Sequence, residues 1–187
     1  MDHSKKPKTP KVILYIAVSL DGFIADTNGS VAFLDQISSD SESSGDVSGY
    51  EAFIQTIDTV IMGHTTYHQV VTELSPGQWP YAGLDSYVLT HNNLPDKERI
   101  FFRNMPAAKL VQQLKARSSK NIWICGGARV AGQLMEAGAI DEYHLTIIPV
   151  LLGQGIRLFP DLTPPVPLKL ISSIEANGTI DCIYRPI

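Results

Sequence analysis

The stretch ICGGARVAGQLMEAG, from Ile124 to Gly138, joins the end of an apolar run to two glycines and then to an amphipathic pattern with helical spacing. This order is typical of a buried strand that leads into a helix. The free N–H groups at the start of such a helix favour an anion, and glycines let a ligand approach the backbone closely. The alternative is that Gly126 and Gly127 only make a tight connection, as in many α/β proteins. The motif is neither a P-loop nor an N-terminal GxGxxG fingerprint.

Strand and helix patterns alternate along the rest of the chain. Apolar runs predict strands at residues 11–25, 59–63, 86–90 and 121–125. Helical spacing predicts helices at residues 50–57, 106–118 and 128–137, and a further helix beginning in TTYHQVV. Residues 142–150 and 168–185, with an Asn-Gly turn at 177–178, predict antiparallel pairs at the end of the chain. The sequence therefore predicts an α/β fold with a mostly parallel sheet and an antiparallel edge.

The composition excludes several classes of function. With 187 residues, 44% hydrophobic and 18% charged, the chain is typical of one globular domain, which we assign to residues 11–187 after a disordered tail of residues 1–10. A net charge of −4 lacks the basic surface that nucleic-acid binding requires. Apolar runs too short to span a bilayer and the absence of a leader pattern predict a cytoplasmic protein without membrane contact. Two cysteines without zinc-type spacing predict neither a disulfide framework nor a metal site.

Polar residues and glycines follow three of the predicted strands. They are Gly63, His64, Thr65 and Thr66 after the second strand, Thr90 and His91 after the third, and the glycine pair after the fourth. In an open parallel sheet, ligands bind at the carboxyl ends of the strands. One elongated anionic ligand, such as a dinucleotide, would account for all three segments. The alternative for Thr65 or Thr66 is a simple helix N-cap.

Four segments in this order resemble the dihydrofolate reductase superfamily: VSLDGFIA, TVIMGHTTY, ICGGARVAG and EYHLTIIPVLLGQGIRLF. The resemblance covers residues 11–185 and is strongest to the branch that contains the C-terminal reductase domain of the riboflavin-biosynthesis protein RibD and its small stand-alone relatives. It implies a three-layer α/β sandwich with a mostly parallel sheet of roughly eight strands and a C-terminal antiparallel hairpin. It also implies NADPH across the strand ends, with a small heterocycle beside the nicotinamide.

The resemblance assigns the cofactor-binding residues. Those expected at the adenosine, ribose and phosphates are Gly63, His64, Thr65, Thr66, Thr90, His91, Gly126, Gly127, Ala128, Arg129 and Val130, and those expected at the nicotinamide are Ala17 and Ile24. The position of His64 is commonly an arginine in this superfamily. An imidazole is a weaker and pH-dependent partner for a 2′-phosphate, so NADH remains an alternative to NADPH.

The departures from the family pattern concern the substrate. The helix that supplies the pterin-binding carboxylate of dihydrofolate reductases aligns with SGYEAFIQTI, where the acid position falls near Gly49 or Tyr50. The nearest acid, Glu51, is expected to be solvated, which disfavours folate reduction. Cys125 stands where the riboflavin reductase has a substrate-binding glutamate, so we expect it at the substrate.

Other side chains are candidates for the reaction itself. Asp21, in Ser-Leu-Asp-Gly, is the candidate catalytic residue for substrate binding or proton delivery, and its alternative role is a turn-forming Asp-Gly. Tyr50 and Phe53 are candidates to stack on a planar substrate, with core packing as the alternative for Phe53. His144 and Thr146 alternate with apolar neighbours, so they share a face that is either turned to the site or packed structurally.

Two functions follow from these patterns. The first is an NADPH-dependent reductase that transfers a hydride to a small pterin- or pyrimidine-like heterocycle, with 5-amino-6-(5-phosphoribosylamino)uracil as one candidate substrate. The second is a non-catalytic, nucleotide-binding and dimerising protein on the same fold. The apolar segment LTIIPVLLG (residues 145–153) predicts a homodimer, with a buried core strand as the alternative. The Ser- and Asp-rich residues 38–49 are predicted to form a mobile surface loop.

Overall fold

Strands and helices alternate through most of the computed structural model, which describes residues 9–37 and 48–187. The strands are β1 (Val12–Ser19), β2 (Phe23–Ala25), β3 (Ile57–Gly63), β4 (Asp85–Leu89), β5 (Ile100–Arg103), β6 (Asn121–Gly126), β7 (Glu142–Ile148), β8 (Ile156–Arg157), β9 (Leu168–Ala176) and β10 (Thr179–Pro186). The α-helices are α1 (Ser48–Gln55), α2 (His64–Gln69), α3 (Ala107–Lys115) and α4 (Ala128–Glu136). A 3-10 helix (Ala32–Ile37) and a π-helical segment (Val70–Leu74) complete the helical elements of the described residues.

Eight of the described strands form one sheet in the order β5-β4-β3-β6-β1-β7-β10-β9. The pairs from β5 to β7 are parallel, whereas β10 is antiparallel to both β7 and β9. The β9–β10 hairpin turns at Asn177 (φ 52°) and Gly178 (φ 75°), as expected for an Asn-Gly hairpin turn in which both central residues have positive φ. The predicted fold class, a mostly parallel eight-stranded sheet with a C-terminal antiparallel hairpin, is confirmed.

Helices cover both faces of the sheet. Leu14 of β1 packs with Leu110 of α3 and Leu134 of α4 on one face, and Ile13 packs with Phe53 of α1 on the other. Because the central strands are buried on both sides, their sequences are continuous apolar runs instead of alternating ones. Burying one such side chain contributes about 1.5–3 kcal/mol.

The first apolar run is two strands separated by a turn, so the prediction of one strand over residues 11–25 is wrong. Gly22, at φ 88°, donates its N–H to the Ser19 carbonyl at 2.9 Å and reverses the chain. Beyond this turn β2 leaves the main sheet and pairs with β8 in a separate two-stranded ribbon. The apolar pattern does not reveal this change of sheet, because both β1 and β2 are buried and therefore apolar.

Two further local predictions are corrected. The sequence does not predict strand β5, because its four residues lie between charged segments and are too few to show a strand pattern. The N-cap role for Thr65 or Thr66 is wrong: the N-cap of α2 is Gly63, and no side chain caps this helix. The helix continues from α2 into the π-helical segment and ends at Leu74.

One buried carboxylate ties the ends of the chain to the sheet. Glu142 is 6% exposed and accepts hydrogen bonds from Lys11 (2.5 Å) and Arg185 (2.8 Å), while His144 Nε2 lies 3.1 Å from its other oxygen. Burial alone would raise the pKa of Glu142, but these contacts outweigh it and lower the pKa to about 2. These contacts support the structural role for His144.

The predicted dimer segment is partly accounted for by the fold. Strand β7 lies inside the sheet between β1 and β10, so the burial of Leu145 and Ile148 fits the core-strand alternative, while Leu151 beyond it is 70% exposed. The homodimer remains a prediction.

The predicted tail and mobile loop lie mostly outside the described residues, at 1–8 and 38–47. None of the helices in the described part of the chain is long and apolar enough to cross a membrane.

Candidate functional site

A cleft of about 1110 Å³ lies at the carboxyl ends of β1, β3, β4 and β6. Ala17, Gly63, Leu89 and Gly126 bring the end of each strand to its lining. These four strands are neighbours and parallel, so their ends lie along one edge of the sheet. The β2–β8 ribbon adds a further wall through Ile24 and Ile156.

The glycine turn lies where the starts of two helices meet. Gly126 (φ 155°) and Gly127 (φ 72°) lead from β6 into α4. A Cβ on Gly127 would lie 3.4 Å from Thr66 Oγ1 and 3.9 Å from the Gly63 nitrogen. The first N–H groups of α4 have no acceptor within the helix, and its first residues line the cleft. This turn is therefore a cradle that a side chain would fill and that suits an anionic group.

The far end of the cleft is lined by side chains that follow β4 and β5. Thr90 Oγ1 accepts a hydrogen bond from the Asn92 N–H at 3.0 Å, and His91 Nδ1 lies 3.1 Å from Asn104 Oδ1. The guanidinium of Arg103 is held by Asp96 at 2.8 Å, and this hydrogen bond lowers the pKa of the Asp96 carboxyl. Arg103 thus lines the cleft with its charge already paired.

The structure brings every residue predicted to bind the cofactor to this cleft. They are Ala17, Ile24, Gly63, His64, Thr65, Thr66, Thr90, His91, Gly126, Gly127, Ala128, Arg129 and Val130. Arg129 is exposed and makes no ion pair among the described residues. Their roles toward a ligand stay predictions.

Sequence reasoning missed other residues of the lining. Among them are Gln69, Tyr81, Arg103, Asn104 and Gln133. Arg103 and Asn104 were missed together with β5, the strand that brings them to the cleft. Gln69 Nε2 donates to the Gly29 carbonyl at 2.9 Å and so ties α2 to the turn after β2. Only the assembled fold reveals that contact.

Cys125 lines the cleft as a neutral thiol. Its Sγ lies 3.3 Å from the hydroxyl of Tyr81, and burial raises the pKa of the Cys125 thiol to about 11. Burial likewise raises the pKa of the Tyr81 phenol. At neutral pH this pair therefore offers hydrogen-bonding groups without charge, which differs from a carboxylate at the same place.

Two of the predicted substrate residues do not line the cleft. Phe53 is 7% exposed and packs edge-on against Tyr15 (ring centroids 4.5 Å apart) and Trp123 (5.6 Å), so core packing accounts for it. Tyr50 lies in the same aromatic group, 6.2 Å from Tyr15, and is 39% exposed. Helix α1 directs both rings onto β1 and β6. Core packing is therefore favoured for Phe53, and stacking of Tyr50 on a substrate stays a prediction.

The predicted catalytic acid, Asp21, also lies outside the lining of the cleft. Its carboxylate accepts hydrogen bonds from Ser19 Oγ (2.7 Å) and from the N–H groups of Leu152 (3.1 Å) and Gly153 (2.7 Å). The hydrogen bond from Ser19 and those from the backbone lower the pKa of Asp21. These contacts favour the alternative, a turn-forming aspartate that joins β1 to the segment after β7, and a catalytic role for Asp21 stays a prediction.

Among the described residues, no group of three or more histidine, cysteine, aspartate or glutamate side chains is arranged to hold a metal ion.

The geometry agrees with comparisons to known proteins. Residues 10–179 match the family model described as the RibD C-terminal domain. The uncharacterized protein YwjB of Bacillus subtilis (strain 168) is 45% identical over 177 residues, which cover 93% of this chain and 97% of YwjB.

Two solved structures have the same fold. A putative riboflavin biosynthesis protein from Shewanella sp. PV-4 superposes with a TM-score of 0.82 at 24% identity, over 95% of this chain and 99% of that one. Dihydrofolate reductase from Enterococcus faecalis, complexed with NADP(H), gives a TM-score of 0.64 at 15% identity, over 95% and 97% of the two chains.

Proposed function

Because this chain belongs to the RibD C-terminal domain family, with a dihydrofolate reductase-like fold, we propose that it is a reductase that transfers a hydride from NADPH to a small heterocycle. The observation that carries the proposal is the cleft at four parallel strand ends, with a glycine turn at the start of α4. A nicotinamide cofactor is long, anionic at its centre and planar at one end. The glycine turn and the apolar residues Ala17 and Ile24 support the proposal, because they suit the anionic and the planar part of such a cofactor.

The glycine turn is the proposed site of the diphosphate. Without a Cβ at Gly127, phosphate oxygens can reach the free N–H groups of α4. The helix dipole places about half a positive charge at this end. The exposed Arg129, which makes no ion pair among the described residues, adds a full one. The residues present therefore fit the group that the family implies.

The nicotinamide end is proposed to lie at Ala17 and Ile24. Both are partly buried and apolar, so they exclude water from one face of the ring and hold it against the end of β1. The bound cofactor would supply the hydride, and the protein would contribute orientation and a dry surface. Cys125 and Tyr81 would border the heterocycle with neutral hydrogen-bonding groups.

The substrate is proposed to be pterin- or pyrimidine-like. The activity on 5-amino-6-(5-phosphoribosylamino)uracil stays a candidate, since the chain belongs to the reductase family of that pathway but has the neutral Cys125 in place of an acid. NADPH is proposed over NADH, with His64 as the partner of the 2′-phosphate.

Cofactor fluorescence tests the proposal. NADPH added to the purified protein is expected to show energy transfer from the tryptophans Trp79 and Trp123 and a saturable binding curve. Arg129→Glu reverses a charge at the start of α4 and is expected to raise the NADPH Kd about fivefold to tenfold, equivalent to roughly 1–1.4 kcal/mol.

Lys169→Glu is the matched control, because Lys169 is exposed on β9 at the edge of the sheet. It carries the same change in net charge and is expected to leave the NADPH Kd unchanged. Absence of binding of either nicotinamide cofactor at millimolar concentration would contradict the proposal. Tight cofactor binding without oxidation across a panel of heterocycles would favour the non-catalytic alternative.

A further inference from the structure

The cleft differs in charge from one end to the other. Its charged and titratable lining groups come from β5, from the segment after β4 and from helices α2 and α4, and they include His64, His91, Arg103, Arg129 and Glu136. The coenzyme phosphates are proposed to bind in this part. The rest of the lining comes from β1, from the β2–β8 ribbon with the segment after β2, and from the π-helical segment, and we call it the β1 end.

The β1 end of the cleft is lined by neutral side chains. The larger ones are apolar and include Ile16, Ile24, Leu34, Val70, Leu74 and Ile156. Leu74 is 55% exposed and Ile156 is 41% exposed, so this end presents apolar surface that a ligand would remove from water. Arg157, which follows Ile156, is directed elsewhere, because its guanidinium lies over the Phe23 ring at 4.7 Å from the centroid.

Tyr81 brings a polar group to the β1 end in a fixed position. Its ring packs edge-on against both Trp79 and Trp123, with centroids 5.2 Å apart in each pair. The Tyr81 hydroxyl lies 3.3 Å from Cys125 Sγ, and either atom can be the donor. A thiol is a weak donor and a weak acceptor, so this contact leaves the hydroxyl able to donate to a stronger acceptor. A carbonyl oxygen is an acceptor of this kind.

We infer that the acceptor reduced at this site is an uncharged, unphosphorylated pyrimidine- or pterin-like ring, which packs on the apolar side chains of the β1 end and accepts a hydrogen bond from Tyr81 at a ring carbonyl. A phosphate placed there would lose its hydration without a cationic partner in return. The inference rests on the proposed function, because that function places the coenzyme phosphates at the glycine turn and so leaves the β1 end to the acceptor. It disfavours 5-amino-6-(5-phosphoribosylamino)uracil relative to the same compound without its phosphate.

Calorimetric titration tests this inference with two ligands that differ by one phosphate, 5-amino-6-ribosylaminouracil and its 5′-phosphate. The protein is first saturated with the oxidised coenzyme NADP⁺, so that no hydride is transferred during the titration. A site with a cationic partner for the phosphate would favour the phosphorylated ligand about 10- to 100-fold. The wild-type protein is instead expected to bind the unphosphorylated ligand more tightly, by at least about threefold.

Tyr81→Phe tests the hydrogen bond to the ring. It is expected to raise the Kd of the unphosphorylated ligand about fivefold to tenfold and to leave the Kd of NADP⁺ unchanged. Tyr87→Phe is the matched control, because the Tyr87 hydroxyl lies 2.8 Å from Arg117 Nη2 and Tyr87 does not line the cleft. This control is expected to bind the unphosphorylated ligand as the wild type does.

Leu74→Lys tests the charge of the β1 end by adding a cation to it. This variant is expected to shift the ratio of the two Kd values toward the phosphorylated ligand by at least about tenfold. Leu94→Lys is the matched control, because Leu94 is also exposed (36%) but lies outside the lining of the cleft. It carries the same change in net charge and is expected to keep the wild-type ratio.

The outcomes separate this inference from the proposed function. Equal or tighter binding of the phosphorylated ligand by the wild type, binding of neither ligand, an unchanged Kd in Tyr81→Phe or an unchanged ratio in Leu74→Lys overturns the inference while coenzyme binding stands. Failure of the wild-type protein to bind NADPH contradicts the proposed function itself.

Discussion

Replacing Gly127 with alanine tests whether the glycine turn binds a ligand or only connects two elements. At φ 72° this residue has a backbone conformation that disfavours a side chain, and strain of this kind costs about 1–3 kcal/mol. In a chain of this size each kcal/mol lowers the Tm by about 2–4 °C, so we expect a decrease of roughly 2–12 °C. The added Cβ would still meet Thr66 Oγ1 at an ordinary contact distance of 3.4 Å.

Gly127→Ala should also weaken the binding of NADPH, an effect that is separate from the loss of stability. A hydrogen bond from a backbone N–H to a charged oxygen contributes about 1.5–3 kcal/mol. If the Cβ displaces one phosphate oxygen from the α4 N–H groups, the NADPH Kd should rise about 10- to 100-fold. Fluorescence titration measures the Kd, and differential scanning calorimetry measures the Tm.

Gly138→Ala is the matched control. Gly138 also has a positive φ (59°), but it follows the other end of α4 and a Cβ there would contact nothing within 4 Å. The control should lose stability to a similar degree and bind NADPH as the wild type does. If Gly127→Ala also keeps the wild-type Kd while its Tm falls, the glycine pair is only a tight connection and the reasoning is refuted.

Three further predictions follow from the structure. Glu142→Gln should lower the free energy of unfolding by about 1–3 kcal/mol in urea denaturation, because it leaves partly exposed cationic partners without their carboxylate. The pKa of Glu142 is about 2 in the folded protein and about 4.3 in the unfolded chain, so its contribution to stability is complete above about pH 5 and declines as the pH falls toward 2. The free energy of unfolding of the variant should therefore change less between pH 5 and pH 2 than that of the wild type. The same pH dependence in both proteins would contradict a stabilising role for the Glu142 carboxylate. Gly155→Ala would place a Cβ 2.2 Å from the Ala25 carbonyl oxygen, so it should open the β2–β8 ribbon and lower both Tm and NADPH affinity, whereas Gly153→Ala, with nothing within 4 Å, should leave the affinity intact. Alkylation of Cys125 by iodoacetamide, followed by mass spectrometry, should be slow at pH 8 and accelerate toward pH 11. Rapid labelling at pH 8 would argue against a neutral, partly buried thiol.

The amino-acid sequence alone determined the alternation of strands and helices, the parallel centre of the sheet and the hairpin at its end. Each of these depends on local patterns: buried runs, helical spacing and an Asn-Gly turn. It also placed the polar and glycine residues at successive strand ends, and parallel topology brings such ends to one edge. The residues predicted to bind the cofactor therefore line one cleft, although they come from five segments of the chain.

Only the tertiary structure determines which face of the sheet a side chain occupies and which groups from distant segments hydrogen-bond to it, because local sequence patterns do not contain this information. The sequence allows Asp21 to be either a catalytic acid or a turn residue. In the structure its carboxylate accepts hydrogen bonds from the N–H groups of Leu152 and Gly153, which lie far along the chain, and these favour the turn residue. The hydrogen bond between Thr146 and Asp181 likewise follows no sequence motif, because it arises only from the pairing of β7 with β10. Such contacts join distant segments of the chain and form only when the sheet is assembled.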